Sequence, residues 1–228
     1  MGRGSSKLSE SNNKPKGGTG GGNGKDPITV QPFRINPEDL KAAIGQKGRP
    51  IGIVNAMEGA NPFYDGSTGA QGDFSENCQR AVVAYELRRR GYDVLALPTY
   101  ENDTLPIGGK WKGAFRGAKD ISVGASTSQK TQQNLEAQMK SFGNGSRGIV
   151  RIPGHVFNVE NVNGKVRYID AQTNTVYNSN NVFSRIDKAG LQTIKLVRTD
   201  NLRLSDRAKK SVTPTTKLVK DILKRKNK

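Results

Sequence analysis

Asn163-Gly164 sits between two alternating stretches, HVFNVENV (155–162) and KVRYIDA (165–171). Asn-Gly is the preferred dipeptide of a two-residue hairpin turn, because both positions need a positive φ. A hairpin closed there has a fixed register. Phe157 faces Asp170, and His155 faces Gln172. Faces alternate with period two, so His155, Phe157, Asp170 and Gln172 share one face. On it, His155 and Asp170 are diagonal neighbours within reach of each other.

The segments around this hairpin fill in an α+β pattern. Residues 76–90 predict the best helix of the chain. Ser75 reads as its N-cap, and Cys78, Ala81, Val82 and Tyr85 recur at i, i+3, i+4 and i+7. Val83, Ala84 and Leu87 add a second apolar stripe, which makes the helix central rather than peripheral. Arg88, Arg89 and Arg90 suit its negative end, and Gly91 stops it. Residues 49–57, 92–97, 147–152 and 191–199 read as strands, and 129–142 as a further helix. Ahead of them, 28–35 reads as a strand and 36–44 as a short helix.

Composition sets the outer limits. Only 33% of residues are hydrophobic and the mean hydropathy is −0.68, so part of the chain is expected to stay unfolded. Residues 1–26 are Gly, Ser, Asn and Lys around GGTGGGNG and read as a flexible tail. Residues 203–228 hold ten basic and two acidic residues and read as a basic C-terminal tail, leaving 27–202 as the folded domain. The net charge of +17 makes nucleic acid, anionic lipid or an acidic protein possible partners of that tail. No apolar run is long enough to span a membrane, and no signal-peptide h-region opens the chain. One cysteine excludes an internal disulfide, and one cysteine with one histidine argues against a zinc site. No residue pattern calls for a cofactor.

Three residues carry chemistry. Cys78 lies in the first turn of the central helix, where dipole and unpaired N–H groups favour a thiolate. Those N–H groups also suit an oxyanion formed at an attacked carbon. His155 can take the thiol proton and return it to a leaving group. Asp170 can accept the other imidazole N–H and fix its tautomer. Taken singly, each has a plainer structural reading: a small core residue, a strand-end histidine and a turn aspartate. Their order, with one residue on a helix and two joined by one hairpin, favours the chemical reading.

SENCQRAVVAYELRRRGYDVLALP (75–98) together with GHVFNVENVNGKVRYIDAQ (154–172) resembles the papain-fold toxin domain of the Tox-PL type. The resemblance covers roughly residues 50–175. Domains of this type occur in polymorphic toxins and attached to phage minor head proteins. The resemblance implies a papain-like cysteine hydrolase fold, its central helix carrying the cysteine on an antiparallel sheet that carries the histidine and aspartate. It further implies Cys78 as nucleophile, His155 as base and Asp170 as orienting partner. The activity it implies is glutamine deamidation or proteolysis of a protein substrate, in a larger toxin assembly or on a phage head. The chain would then reside in a virion, or in the bacterial cytoplasm before delivery. Gln71 and Asn77 are candidates for the oxyanion site, and Gln172 for shaping the pocket. Two other readings compete: a phage head-associated structural protein with a non-catalytic papain-like domain, and a nucleic-acid-binding module acting through its basic tail.

Overall fold

The computed structural model describes residues 47–66, 74–99, 110–177 and 182–215. The expected tail over 1–26, the strand over 28–35 and the helix over 36–44 lie outside the described residues. The hairpin forms as the turn dictates. Asn163 and Gly164 have φ of 52° and 80°. Strand β4 (His155–Val162) pairs antiparallel with β5 (Lys165–Asp170), Val162 opposite Lys165 and Asn158 opposite Ile169.

Around this pair grows a six-stranded antiparallel sheet. Its other strands are β2 (Ile121–Ser122), β3 (Arg147–Ile152), β6 (Thr175–Tyr177) and β7 (Lys195–Arg198), in the order β2-β7-β3-β4-β5-β6. Each face is covered. Ile149, Val156, Ile169 and Val197 belong to one buried cluster with helix α2 (Cys78–Arg89). Val150, Phe157, Tyr168 and Leu196 form the other, with Leu135 and Met139 of helix α3 (Ser128–Ser141). Strand alternation therefore sorts the apolar residues onto two opposed cores.

Helix α2 is central, as its double stripe requires: every residue from Arg80 to Leu87 is buried. Burying Val82, Val83 and Leu87 is worth about 1.5–3 kcal/mol each. Gly91 ends it with φ 98°, and a Cβ there would lie 2.3 Å from the Gly48 carbonyl oxygen, so only glycine fits. The N-cap is Asn77, not Ser75. The Ser75 hydroxyl instead donates to Asp65 Oδ1 at 3.4 Å.

Two expected strands are wrong. Residues 49–57 do not form a strand; the segment contains most of helix α1 (Ile53–Ala60), which buries Ala56, Met57 and Ala60 in the core shared with α2. A short apolar run does not distinguish strand from buried helix, and Ala56 with Ala60 is the i, i+4 pair that decides it. Residues 191–199 are not one strand. They hold the end of a short helix, α4 (Lys188–Gln192), and then β7. Asp187 causes the break by capping the helix, its Oδ1 accepting from Gly190 N at 2.7 Å.

The boundary drawn on charge at residue 203 falls inside the folded body. Residues Asp206–Lys210 form a 3-10 helix, and β8 (Val212–Pro214) pairs antiparallel with β1 (Val94–Ala96). Ala208 and Val212 are buried there, so apolar residues dispersed among the lysines anchor the segment. Residues 216–228 of the expected tail lie outside the described residues. Among the described residues, no helix is long and apolar enough to cross a membrane.

Candidate active site

The start of α2 and the start of β4 meet at one end of the sheet. Cys78 is the first residue of α2 and is half-buried. His155 is the first residue of β4, lines the same cleft as Cys78 and is close enough for the two to interact electrostatically. On its other side, His155 Nε2 lies 2.9 Å from Asp170 Oδ2. Asp170 is the last residue of β5 and its side chain is buried. Three residues distant in sequence thus converge on one site, with His155 hydrogen-bonded to Asp170 and Cys78 beside it in the cleft.

Electrostatics fix the protonation of the pair. Burial disfavours a charged imidazole, but the hydrogen bonds and charges of Asp170 and Cys78 outweigh it and push the His155 pKa up to about 10. Burial likewise disfavours the Asp170 carboxylate, but His155, Tyr177 and the Gln172 amide overcome it and hold Asp170 below its usual range. With the carboxylate ionised, Nε2–H is the donor. The second ring nitrogen is left for the thiol.

Asp170 is held on both oxygens. Gln172 N donates to Oδ1 at 3.0 Å and Thr173 N at 3.4 Å. The Tyr177 hydroxyl donates to Oδ2, the oxygen that also takes the His155 proton. Tyr177 is absent from the sequence reading, which treats the segment after Gln172 as a polar loop. The signal was the β-branched and aromatic triplet Thr175-Val176-Tyr177 after the Thr173-Asn174 turn. Tyr177 is directly opposite Tyr168 across the β5–β6 ladder, so it shares the face of Phe157 and Asp170. Its ring packs edge-on against Phe157 at 5.9 Å.

The other expected site residues are placed as follows. Gln71 lies outside the described residues. Asn77 is buried, and its side-chain amide donates inward to Asn61 Oδ1 at 2.9 Å and to Leu97 O at 3.1 Å. Both its N–H groups are engaged, so the Asn77 side chain offers no donor to an oxyanion; it seats the first turn of α2. Gln172 is buried beside the cleft, and its side-chain amide donates to Ser75 O. Asn61 completes this clamp by donating to Phe74 O and Gln172 O, each at 2.8 Å. A set of amides therefore ties α1, the approach to α2 and the turn after β5 together behind Cys78. No periodicity marked Asn61, since its partners are 13 and 111 residues away.

Two depressions of about 560 and 450 Å³ meet at the site. Cys78, Gln79, Gly154 and His155 line both. The thiol and imidazole therefore stand at the waist of a cleft, with room for an extended partner on either side. A thiol, an imidazole and a carboxylate in this order can carry out acyl transfer from an amide through a thioester.

Residues 76–175 match the model of the family described as papain fold toxin 1, glutamine deamidase. This stretch is similar to a papain-fold toxin domain. The matched stretch runs from just before α2 to the first residue of β6 and includes Cys78, His155, Asp170 and Gln172. No curated protein and no solved structure matches the chain. The α+β architecture, with Cys78 on a helix packed against an antiparallel sheet, is papain-like, and the family match makes the domain a cysteine-type hydrolase.

Proposed function

We propose that the domain deamidates glutamine side chains of a protein target, with Cys78 as nucleophile, His155 as acid and base, and Asp170 and Tyr177 holding the imidazole. The observation that carries this reading is the His155–Asp170 hydrogen bond beside Cys78 in one cleft, within the stretch that matches a glutamine deamidase family.

The reaction follows from that arrangement. His155, with its raised pKa, stands as the imidazolium of the pair, and the Cys78 thiolate attacks the side-chain amide carbon of glutamine. The Cys78 backbone N–H, at the first turn of α2, faces the oxygen on which negative charge develops. Collapse of the tetrahedral adduct breaks the C–N bond, and His155 protonates the departing nitrogen, releasing ammonia. Water then attacks the thioester while His155 takes its proton. The carbonyl–sulfur bond breaks, the glutamic acid product leaves, and the Cys78 thiolate stands again beside protonated His155. The sum is glutamine plus water giving glutamate plus ammonia. Asp170 steadies the imidazolium at each transfer.

Proteolysis is the second reading, favoured by the cleft extending on both sides of Cys78. Mass spectrometry of candidate targets decides between them. Deamidation raises target mass by about 1 Da with stoichiometric ammonia and an intact chain; cleavage gives two fragments and no ammonia. Loss of neither product in Cys78→Ala would overturn both readings. Of the settings the resemblance implies, the family match speaks for a toxin, while phage-head attachment has only the resemblance behind it. Nucleic-acid contact keeps only the charge of residues 203–228.

A further inference from the structure

We propose that the larger lobe of the cleft is a subsite for a carboxylate on the protein target, with Arg151 as the residue that binds it. The inference rests on the hydrolase reading for its purpose but on separate residues for its evidence.

Arg151 lies on β3, on the same face as Arg147 and Ile149. That face carries α2. Arg147 reaches Glu86 near the far end of α2, 2.9 Å from Nε. Four residues along a strand span about 13 Å, and the eight residues from Glu86 back to Cys78 span about 12 Å of helix. Arg151 therefore comes level with the start of α2, and it lines the lobe together with Cys78, Gln79 and His155.

Its surroundings differ from those of four arginines packed about α2. Arg88, Arg89, Arg90 and Arg147 each have a carboxylate partner. Arg151 is half-buried, and its Nε is shielded from solvent with no hydrogen-bond partner among the described residues. A carboxylate in the lobe would be met by the two Nη groups, whose planar fork matches its geometry. The one carboxylate already in the lobe, Asp187, has Oδ1 engaged by the Gly190 N–H at 2.7 Å. Lys195, opposite Arg151 on β7, directs its ammonium to Ser122 Oγ at 3.0 Å. Arg151 is left as the lobe's recognition group. A target with an acidic residue close to the reacting amide is the class of substrate it selects.

Cys78 is the only cysteine, so alkylation rates report on one thiol. Labelling with iodoacetate is compared with labelling by iodoacetamide on the same protein. The ratio cancels changes in thiol reactivity and leaves the preference for a carboxylate. Arg151→Gln is expected to lower that ratio about threefold or more, and Arg151→Lys to retain most of it. Asp187→Asn, which can still cap α4, is expected to raise it. A ratio unchanged by Arg151→Gln in a protein that keeps its far-ultraviolet circular dichroism would overturn the subsite. Ammonia release from a glutamine peptide with a neighbouring glutamate is then compared with its glutamine-flanked counterpart. A preference of about threefold or more in kcat/KM, abolished by Arg151→Gln, supports the subsite, and an equal rate for both peptides refutes it. If neither peptide releases ammonia, the deamidase reading fails while the alkylation ratio still judges Arg151.

Discussion

The two ends of α2 have opposite characters. At the C-terminal end, Arg88, Arg89 and Arg90 each have a carboxylate partner. Glu86, fully buried, takes Arg90 at 2.7 Å and Arg147 at 2.9 Å, and Glu160 takes Arg89 and the Tyr85 hydroxyl. At the N-terminal end, a thiol faces a cleft, a buried carboxylate holds a histidine, and Arg151 Nε has no hydrogen-bond partner among the described residues. The same helix is thus locked where it meets the sheet through ion pairs and left chemically open where it begins. A buried charge network fixes orientation, and the residues it steadies can remain reactive.

The comparison breaks most severely at Cys78. Cys78→Ala is expected to lower turnover at least about 1,000-fold, with a stability change under about 1 kcal/mol, measured by ammonia release and urea unfolding. Glu86→Gln tests the opposite end. It leaves Arg90 and Arg147 without their shared carboxylate and is expected to cost about 3–5 kcal/mol of stability, while folded molecules keep their Cys78 alkylation rate. Equal stability of this variant and wild type would show that the network orients α2 without stabilising it.

Asp170→Asn keeps the shape of the side chain but removes the charge that holds the imidazole. It is expected to reduce kcat about 100-fold or more and to return the His155 titration toward 6.5, followed by NMR of the lone histidine. Tyr177→Phe removes only a donor to Asp170 Oδ2. A fall in kcat of about three- to tenfold with unchanged KM is expected, together with a shifted pH profile; a change in KM alone would make Tyr177 a packing residue.

The smallest effect is the pH dependence of stability. His155 has a folded pKa raised from 6.5 to about 10. Its contribution is therefore complete below pH 6.5 and is lost as pH rises to and through about 10. Urea midpoints are expected to fall over that window in wild type and to lose this component in His155→Ala. The Asp170 pKa is lowered, so its contribution is present above its ordinary carboxyl range and is lost on acidification.

The hairpin was legible because turn chemistry and alternation are local rules. The pairing of His155 with Asp170 followed from two residues, Asn163 and Gly164, without knowledge of the rest of the chain. The centrality of α2 followed from its two apolar stripes. Arg88, Arg89 and Arg90 were legible only as cations at a helix end; their carboxylates lie up to 71 residues away. Residues 49–57 were misread because a short apolar run fits either period, and packing against α2 chose the helix.

By itself, the sequence determined the elements whose code is short-ranged: the turn, the register across it, the helix and the position of its one thiol. Only tertiary structure decided that Asp170 takes Nε2 of the imidazole, that Tyr177 joins Asp170, that Asn77 faces inward, and that Arg151 Nε has no partner among the described residues. Those outcomes depend on groups brought together across the whole sheet, and electrostatic energy depends on distance and burial that no local pattern encodes.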